Sequence, residues 1–291
     1  MRTEGVDISF RYLESVMDAD QVRRVVVRAP EGNIHILQSD TADIEYSVEI
    51  EGPSERIEQW ACKERRAESI AILDCVPDAF IRISKCIVKV PASIGDVEIH
   101  SARGSIELEL VKANVLAIIE RGDIVVSGAR FVEVSSISGS ISIDNSEGCS
   151  ARSMEGSLHC RRISGSIQAE IQRGSVHVDH VLKNVAVVTD EGNIRVRRVA
   201  GRIRLISNKG DIELEVAGCF GGGEIQTYSG DISIQLEHSS VEFRAETLSG
   251  RIETQHQINS AGMGPKRCAF RTGDGARRLY VKSVLGDIEV N

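Results

Sequence analysis

Residues 192–216 read GNIRVRRVAGRIRLISNKGDIELEV, in which three successive units each open on Gly-x-Ile. The glycines Gly192, Gly201 and Gly210 lie nine residues apart, and apolar residues follow each glycine at alternate positions. The same tripeptide, or a close variant, also begins at Gly95, Gly104, Gly122, Gly139, Gly156, Gly165, Gly174, Gly230, Gly250 and Gly286. Repetition at a near-fixed period indicates that each unit buries its apolar face by stacking on its neighbours.

Alternation of apolar and polar residues after each glycine is typical of short strands with one buried face. A tight corner that brings two backbones together favours glycine. A nine-residue unit is half of a coil of about 17–20 residues, and residues 95–291 would then make about ten coils. The sequence therefore predicts an all-β fold, a parallel β-solenoid (β-helix), with right-handed winding favoured for its crossovers.

The organisation of the chain follows from where this repeat begins and breaks. Pro53 and Ser54 before a run rich in Glu, Arg and Lys predict one short helix near 54–67, flanking or capping the N-terminal end with Trp60 as its packing anchor. The predicted parts are an N-terminal arm at 1–21, N-terminal strands that start or cap the solenoid at 22–94, the repeats at 95–291, and irregular loops near 218–223 and 258–278.

The last predicted strand, Asp287–Val290, lies almost at the end of the sequence. An end coil exposes unpaired strand backbone, which invites association unless something covers it. We therefore expect residues 258–278 to cover this edge, or the edge to pair with a second copy of the chain.

Composition excludes several classes of partner. The chain has 291 residues, only 4% of them aromatic, and a formal net charge of −8. The narrow interior of a solenoid can be filled by Ile, Val and Leu and needs few aromatic side chains. The acidic balance argues against a nucleic-acid binder and against adsorption to anionic lipid.

Cysteine content and the N-terminus bear on the compartment. Seven cysteines occur without a CxxC pair. This odd number favours buried reduced thiols over a disulfide framework or zinc site. Residues 1–21 contain no apolar run typical of a signal peptide. We expect a cytoplasmic protein, with the cell surface as the alternative if an export signal was removed.

Several segments together resemble one known family. They are VVVRAPEGNIHI at 25–36, the Val90-Pro91 step into Gly95-Asp96-Val97, and VKSVLGDIEV at 281–290. From about residue 22 to 291 the chain resembles the bacterial and archaeal "putative adhesin" β-strand-repeat family, a domain of unknown function built from Gly-Asp-Ile repeats. The resemblance implies a parallel β-solenoid and brings no catalytic residues.

Candidate catalytic and metal-binding motifs have simpler explanations. Aspartates recur directly after corner glycines, where turn chemistry accounts for them. The units lack the second glycine and internal aspartate of calcium-binding nonapeptides. His177 and His180, with His159-Cys160 one period earlier, are interpreted as surface histidines rather than a metal site. Neither 221–223 nor 272–275 continues as a phosphate-binding motif. We predict no catalytic residue, cofactor or metal.

Two arginine pairs are the candidate binding residues. Arg161 and Arg162 precede Gly165 at the same offset at which Arg197 and Arg198 precede Gly201. With an 18-residue period the pairs lie two coils apart on one edge, and they could form a partner-docking or anion-binding patch. Salt links to neighbouring acidic residues are the alternative interpretation.

The functional prediction is a non-enzymatic β-solenoid scaffold or binding protein, adhesin-like, that presents flat parallel sheets to an unknown protein or glycan or to another copy of itself. The alternatives are a carbohydrate-active β-helix enzyme and an exported surface adhesin. A homo-oligomer through the solenoid ends is a further expectation.

Overall fold

The computed structural model describes residues 7–109, 112–216, 220–237, 239–255 and 266–291. Within these ranges the chain is all-β apart from one short helix, as predicted. It falls into two units, residues 1–139 and residues 140–291, and each is described by itself. The predicted change from N-terminal strands to repeats at residue 95 lies inside the first unit and stays a prediction.

The first unit contains twelve strands and the helix among its described residues. They are β1 (Ile8–Met17), β2 (Arg24–Arg28), β3 (Asn33–Ser39), β4 (Ile44–Pro53), α1 (Ser54–Gln59), β5 (Lys63–Ala67), β6 (Ile70–Asp74), β7 (Arg82–Pro91), β8 (Asp96–Arg103), β9 (Ile106–Glu109), β10 (Asn114–Arg121), β11 (Ile124–Ser127) and β12 (Phe131–Ser138).

These strands form two layers, in the orders β1-β4-β7-β3-β9-β11 and β12-β10-β8-β2-β6-β5. Repeat strands pair in parallel, as expected for a chain that returns in the same direction with every layer. Antiparallel pairs occur at one end, where β4 lies between β1 and β7 and where β5 pairs with β6.

The second unit contains sixteen strands in its described part. They are β13 (Ile141–Ser146), β14 (Gly148–Glu155), β15 (Leu158–Ile163), β16 (Ile167–Arg173), β17 (Val176–Val181), β18 (Val185–Glu191), β19 (Ile194–Val199), β20 (Ile203–Lys209), β21 (Ile212–Val216), β22 (Gly223–Ser229), β23 (Ile232–Leu236), β24 (Val241–Ser249), β25 (Ile252–Thr254), β26 (Lys266–Arg271), β27 (Arg277–Leu285) and β28 (Ile288–Val290).

The strands of this unit form two sheets, ordered β13-β15-β17-β19-β21-β23-β28-β25 and β14-β16-β18-β20-β22-β27-β24-β26. Successive strands alternate between them as far as β25, and β26 and β27 both lie in the second sheet. The register is constant, so equivalent residues of neighbouring repeats lie side by side. Val176, Ile194, Ile212, Ile232 and Ile288 form one such column. Their exposed fractions are 0–1%, which confirms that the aliphatic residues after the corner glycines stack inside the coil. Burial of each such side chain contributes about 1.5–3 kcal/mol.

The order of layers departs from chain order at the C-terminal end. Strands β27 and β28 lie between β22/β23 and the earlier pair β24/β25. The final residue is held there, because Asn291 N donates to Ile234 O and Leu236 N donates to Asn291 O, both at 2.9 Å. The prediction that Asp287–Val290 forms the open edge is therefore wrong. Buried Leu279 and Val281 supply the apolar layer that separates β22 from β24.

The segment expected to cover that edge covers a different strand. Residues 258–265 lie outside the described part of the chain. Residues 266–271 form β26, which pairs antiparallel with β24 at the edge of the opposite sheet.

Two predictions for the first 67 residues need correction. Residues 8–17 form strand β1, whereas a mixed polar arm was expected for 1–21. The helix ends at Gln59 and not near residue 67, and residues 63–67 form β5. Arg11 Nη1 explains the early end, because it donates to the carbonyl oxygens of Ile57 at 2.6 Å and Glu58 at 2.7 Å, groups that a longer helix would bond internally.

The corner glycines are required by close backbone approach. Gly122 has a φ of +140°, and a Cβ on it would lie 1.5 Å from the carbonyl oxygen of Gly104 in the adjacent layer. Gly95 differs, because its φ is not in the left-handed region and a Cβ would meet nothing nearer than Arg23 O at 3.7 Å.

We predict that Gly122→Ala lowers the free energy of unfolding by about 2 kcal/mol or more, since the methyl group must displace backbone. The matched variant Gly95→Ala should change it by less than about 1 kcal/mol. Urea titration followed by circular dichroism compares the two. Equal stability of both variants would contradict the steric role of the corner.

Candidate functional site

A groove of about 440 Å³ crosses the outer face of the second unit's β14–β26 sheet. It spans five adjacent strands, β16, β18, β20, β22 and β27. Neighbouring strands lie about 4.8 Å apart, so the groove is about 20 Å long and runs across the strands. Its direction is therefore the stacking direction of the repeats.

Two columns of outward-facing side chains line the groove. In the first column each residue lies opposite its equivalent on the next strand, and the members are Glu170, Val188, Ile206, Gln226 and Lys282. The second column lies two positions further along each strand, and its members are Gln172, Asp190, Asn208, Tyr228 and Val284. Because the register is constant, each layer adds one residue to each column.

The lining combines apolar surface with neutral hydrogen-bonding groups. Val188 is 37% exposed and Tyr228 is 55% exposed. Asn208 Nδ2 donates to Asp190 Oδ1 at 2.9 Å, which orients this amide. Amides, a phenol and a ring face can bind a polar chain by hydrogen bonds and stacking.

Buried hydroxyl groups support the strands beneath the groove. Ser207 Oγ donates to Gly192 O at 3.3 Å, and Thr227 Oγ1 donates to Gly210 O at 3.2 Å. Each bond joins one layer to the corner glycine of the layer before it. The groove is therefore fixed to a rigid element, which favours a preformed site.

The predicted arginine residues lie on the opposite sheet, in alternation with acids. Arg161 and Arg197 belong to a column that reads Asp144, Arg161, Asp179, Arg197 and Glu215 across successive strands. Arg161 donates to Asp144 Oδ2 at 2.9 Å, and Arg197 Nε lies 3.4 Å from Glu215 Oε2.

The other two arginines directly follow the arginines of this column and have a left-handed backbone conformation. Arg162 and Arg198 have φ values of 55° and 53°, and they contact Asp144 and Asp179 respectively. Each predicted arginine thus has an acidic neighbour on an adjacent strand. This arrangement agrees with the alternative interpretation from the sequence, namely salt links to neighbouring acidic residues. Binding of an anion or partner by these four residues stays a prediction.

This pairing lowers the pKa of Asp144. Partial burial opposes its ionisation, but the guanidinium groups of Arg161 and Arg162 outweigh burial and hold the pKa below its ordinary value. The carboxylate is therefore charged throughout the neutral range.

Two histidines that the sequence analysis had treated as separate surface groups stack on one another. His159 and His177 lie opposite each other on β15 and β17, with ring centroids 4.9 Å apart and planes within 2°. Burial lowers the pKa of His177, and the neighbouring His159 and Arg195 lower it further, although Glu213 acts in the opposite sense. These surroundings thus favour the neutral form of His177.

One group of side chains in the described part of the first unit could hold a metal ion. Ligand atoms of His35, Glu107 and Glu109 lie within 4.8 Å of one another on β3 and β9. His35 Nε2 lies 3.7 Å from Glu109 Oε1. One imidazole and two carboxylates would suit a divalent transition metal. Sequence spacing did not reveal the group, because β3 and β9 are neighbours in space but far apart in the chain.

The all-β fold of parallel layers is accompanied by a match to a known protein family. Residues 22–291 match the Toastrack DUF4097 family model. The chain belongs to the Toastrack DUF4097 family. The predicted family resemblance is confirmed at this level, while Gly-Asp-Ile as the family's repeat signature stays a prediction. No curated protein matches the chain.

Three solved structures align with this Toastrack chain over nearly its whole length. A "putative cell adhesion protein" of Clostridium sporogenes is 9% identical, with 97% of this chain and 99% of that one covered and a TM-score of 0.25. A "putative adhesin" of Bacteroides fragilis is 12% identical, with 97% of each chain covered and a TM-score of 0.41. A "putative adhesin" of Parabacteroides merdae is 12% identical, with 97% and 96% covered and a TM-score of 0.28.

The short helix α1 is the longest helical segment in the described ranges. No helix there has the length and apolar character needed to cross a membrane.

We predict that the melting temperature falls between pH 7 and pH 5, because of His177. Its pKa is lowered in the folded state, so the unfolded chain takes up the proton first and stability is lost as pH falls below about 6.5. His177→Gln should reduce this loss, whereas His180→Asn, at an exposed position with φ of 59° that Asn tolerates, should retain it. Thermal unfolding monitored across this pH range tests the prediction, and an unchanged pH profile for His177→Gln would contradict it.

Proposed function

We propose that the chain is a non-enzymatic binding protein, an adhesin-like β-solenoid scaffold that holds an extended polymeric partner, protein or glycan, in the groove of its second unit. The observation that supports this most directly is the lining of that groove by two columns of side chains on five successive strands. Each layer offers the same two positions about 4.8 Å further along, so a chain laid across the strands meets a new pair of groups at every layer.

The chemistry of the lining favours a partner that is largely neutral. Amides of Gln172, Asn208 and Gln226 and the phenol of Tyr228 can both donate and accept hydrogen bonds. Of the three charged groups, Glu170 and Lys282 lie on the first and last of the five strands, and Asp190 on the second strand accepts a hydrogen bond from Asn208. A polymer with uncharged repeats suits the middle of this groove better than a strongly charged one.

The proposal includes two finer features of the predicted solenoid. It has about ten coils, and α1 flanks one end of the first unit. Supporting the role of α1, Arg11 on β1 donates to carbonyl groups of Ile57 and Glu58 on the helix. The proposed location is the cytoplasm, from the cysteine content, with the cell surface as the alternative.

Self-association through sheet edges is a second part of the proposal. In the second unit β25 ends one sheet and β26 ends the other, and a free edge can pair with another chain. Light scattering over a range of concentrations tests this, since a strict monomer at high concentration would exclude it.

Binding through the groove is tested with immobilised neutral polysaccharides and with a library of extended peptides, using the full chain. We expect Tyr228→Ala to weaken binding of any retained polymer by about tenfold or more, because an exposed aromatic contact of this kind carries much of the binding energy. The matched control is Tyr280→Ala, because Tyr280 is an exposed tyrosine on β27 that does not line the groove. Its affinity should remain near that of the unmodified protein.

Two results would overturn the proposal. Equal loss of binding in both tyrosine variants would place the partner elsewhere. Turnover of a polysaccharide that Asp190→Asn abolishes would identify an enzyme, since Asp190 and Glu170 are the two carboxylates of the groove.

A further inference from the structure

Two cysteines of the first unit lie in contact although the sequence separates them. Cys62 Sγ and Cys75 Sγ are 3.0 Å apart. A disulfide bond is about 2.05 Å long, so the two sulfur atoms need to approach by only about 1 Å to bond.

The backbone brings these cysteines together as a cross-strand pair. Strands β5 and β6 pair antiparallel with Lys63 opposite Asp74. Cys62 and Cys75 are the next residues outward on each side of that pair. Cys75 is held in place, because its N–H donates to Arg28 O at 2.8 Å. Opposed residues of antiparallel strands have Cα atoms about 4.5–5.5 Å apart, within the range that a disulfide accepts.

The two thiols differ in accessibility, which sets the order of any reaction. Cys62 is half-buried, and Cys75 is completely buried. Contact with Cys62, then contact with Cys86, and then burial hold the pKa of the Cys75 thiol well above its ordinary value. Cys62 is therefore the thiol that an outside reagent can reach, and Cys75 is the resolving thiol behind it.

We propose that Cys62 and Cys75 are a modification site that closes to a reversible disulfide by exchange with a small disulfide such as glutathione disulfide. In the first step the Cys62 thiolate attacks one sulfur of the reagent. A mixed disulfide forms, and one thiol leaves with a proton. In the second step the Cys75 sulfur attacks the Cys62 sulfur of the mixed disulfide, the bond to the reagent sulfur breaks, and that sulfur leaves as the second thiol with the proton that Cys75 gives up. The protein loses two hydrogen atoms, and the reagent disulfide is reduced to two thiols.

A cysteine pair in the second unit lacks the same access. Cys149 Sγ and Cys160 Sγ lie 3.7 Å apart, and the residues are only 2% and 1% exposed. They face each other from β14 and β15 inside the second unit. This pair provides an internal control, because it has similar proximity without an exposed attacking thiol.

Closure of the disulfide would fix an exposed edge strand. Every residue of β5 is exposed, and β5 is the outermost strand of its sheet in the first unit. A covalent link next to Lys63 would tie β5 to β6 and restrict opening of that edge.

The chain has a built-in reporter for this reaction. Trp60, its only tryptophan, lies two residues before Cys62. Its Nε1 donates to Val76 O, next to Cys75, at 3.4 Å. A nearby disulfide quenches indole fluorescence by accepting an electron from the excited ring, so oxidation should dim Trp60.

The experiment treats the reduced full chain with glutathione disulfide and maps the products by mass spectrometry without reduction. We expect a Cys62–Cys75 linkage, a loss of Trp60 fluorescence, and a rise in melting temperature of roughly 5 °C. All three changes should reverse with dithiothreitol. They should be absent in Cys62→Ser and retained in Cys149→Ser.

Three results would overturn the proposal. They are a Cys75–Cys86 linkage instead of Cys62–Cys75, a stable glutathione adduct on Cys62 that Cys75 never resolves, and the same fluorescence loss in Cys62→Ser as in the unmodified chain. Folding of Cys62→Ser is checked separately by circular dichroism, and Cys75→Ala provides a second variant in which only the mixed disulfide should accumulate.

Discussion

Close approach of backbones at the corners is the constraint on which the rest of the structure depends. Many corner glycines abut the carbonyl oxygen of the corresponding glycine in the preceding layer, as Gly210 does with Gly192. This distance leaves no room for a side chain. Because the corners cannot slip past one another, every strand that starts from them is held in the same register.

Because the register is constant, residues at equivalent positions of successive repeats lie in columns across each sheet. Inside, the columns are aliphatic, as from Val176 to Ile194 to Ile212, or rich in hydroxyl groups, as from Thr189 to Ser207 to Thr227. Outside, they can alternate in charge, as from Asp144 to Arg161 to Asp179, or stay mostly neutral, as along the groove. A single substitution therefore changes one side chain of a column and leaves the arrangement of the strands intact. Repeat proteins vary a binding surface on a fixed scaffold in this way.

The sequence predicted the parts of the fold that arise from local, repeated signals. Glycine spacing and alternation were enough to give parallel strands and the buried column through Ile194 and Ile212. It could not predict contacts between distant segments, such as the capping of α1 by Arg11, the place of β28 between β23 and β25, or the meeting of His35 with Glu107. Nothing in local composition encodes which strand lies beside which at an irregular end.

The same limit applies to the candidate sites. The arginines were identified from their repeated offset, yet their acidic neighbours became visible only when adjacent layers were aligned. The groove had no motif at all, because its lining is drawn two or three residues at a time from five strands that lie apart in the chain. The stacked histidines and the Cys62–Cys75 contact have the same origin, since each joins residues on neighbouring strands.

The position of β27 and β28 has a consequence for how the chain is made. Strands β24 and β25 are synthesised earlier than these two, yet they touch the preceding layer only through them. During translation that pair has no partner on its inner side until β27 and β28 have been synthesised. The layer formed by β24 and β25 is therefore completed only after later segments of the chain have been synthesised, and until then the emerging chain holds an unfinished sheet with an exposed strand edge.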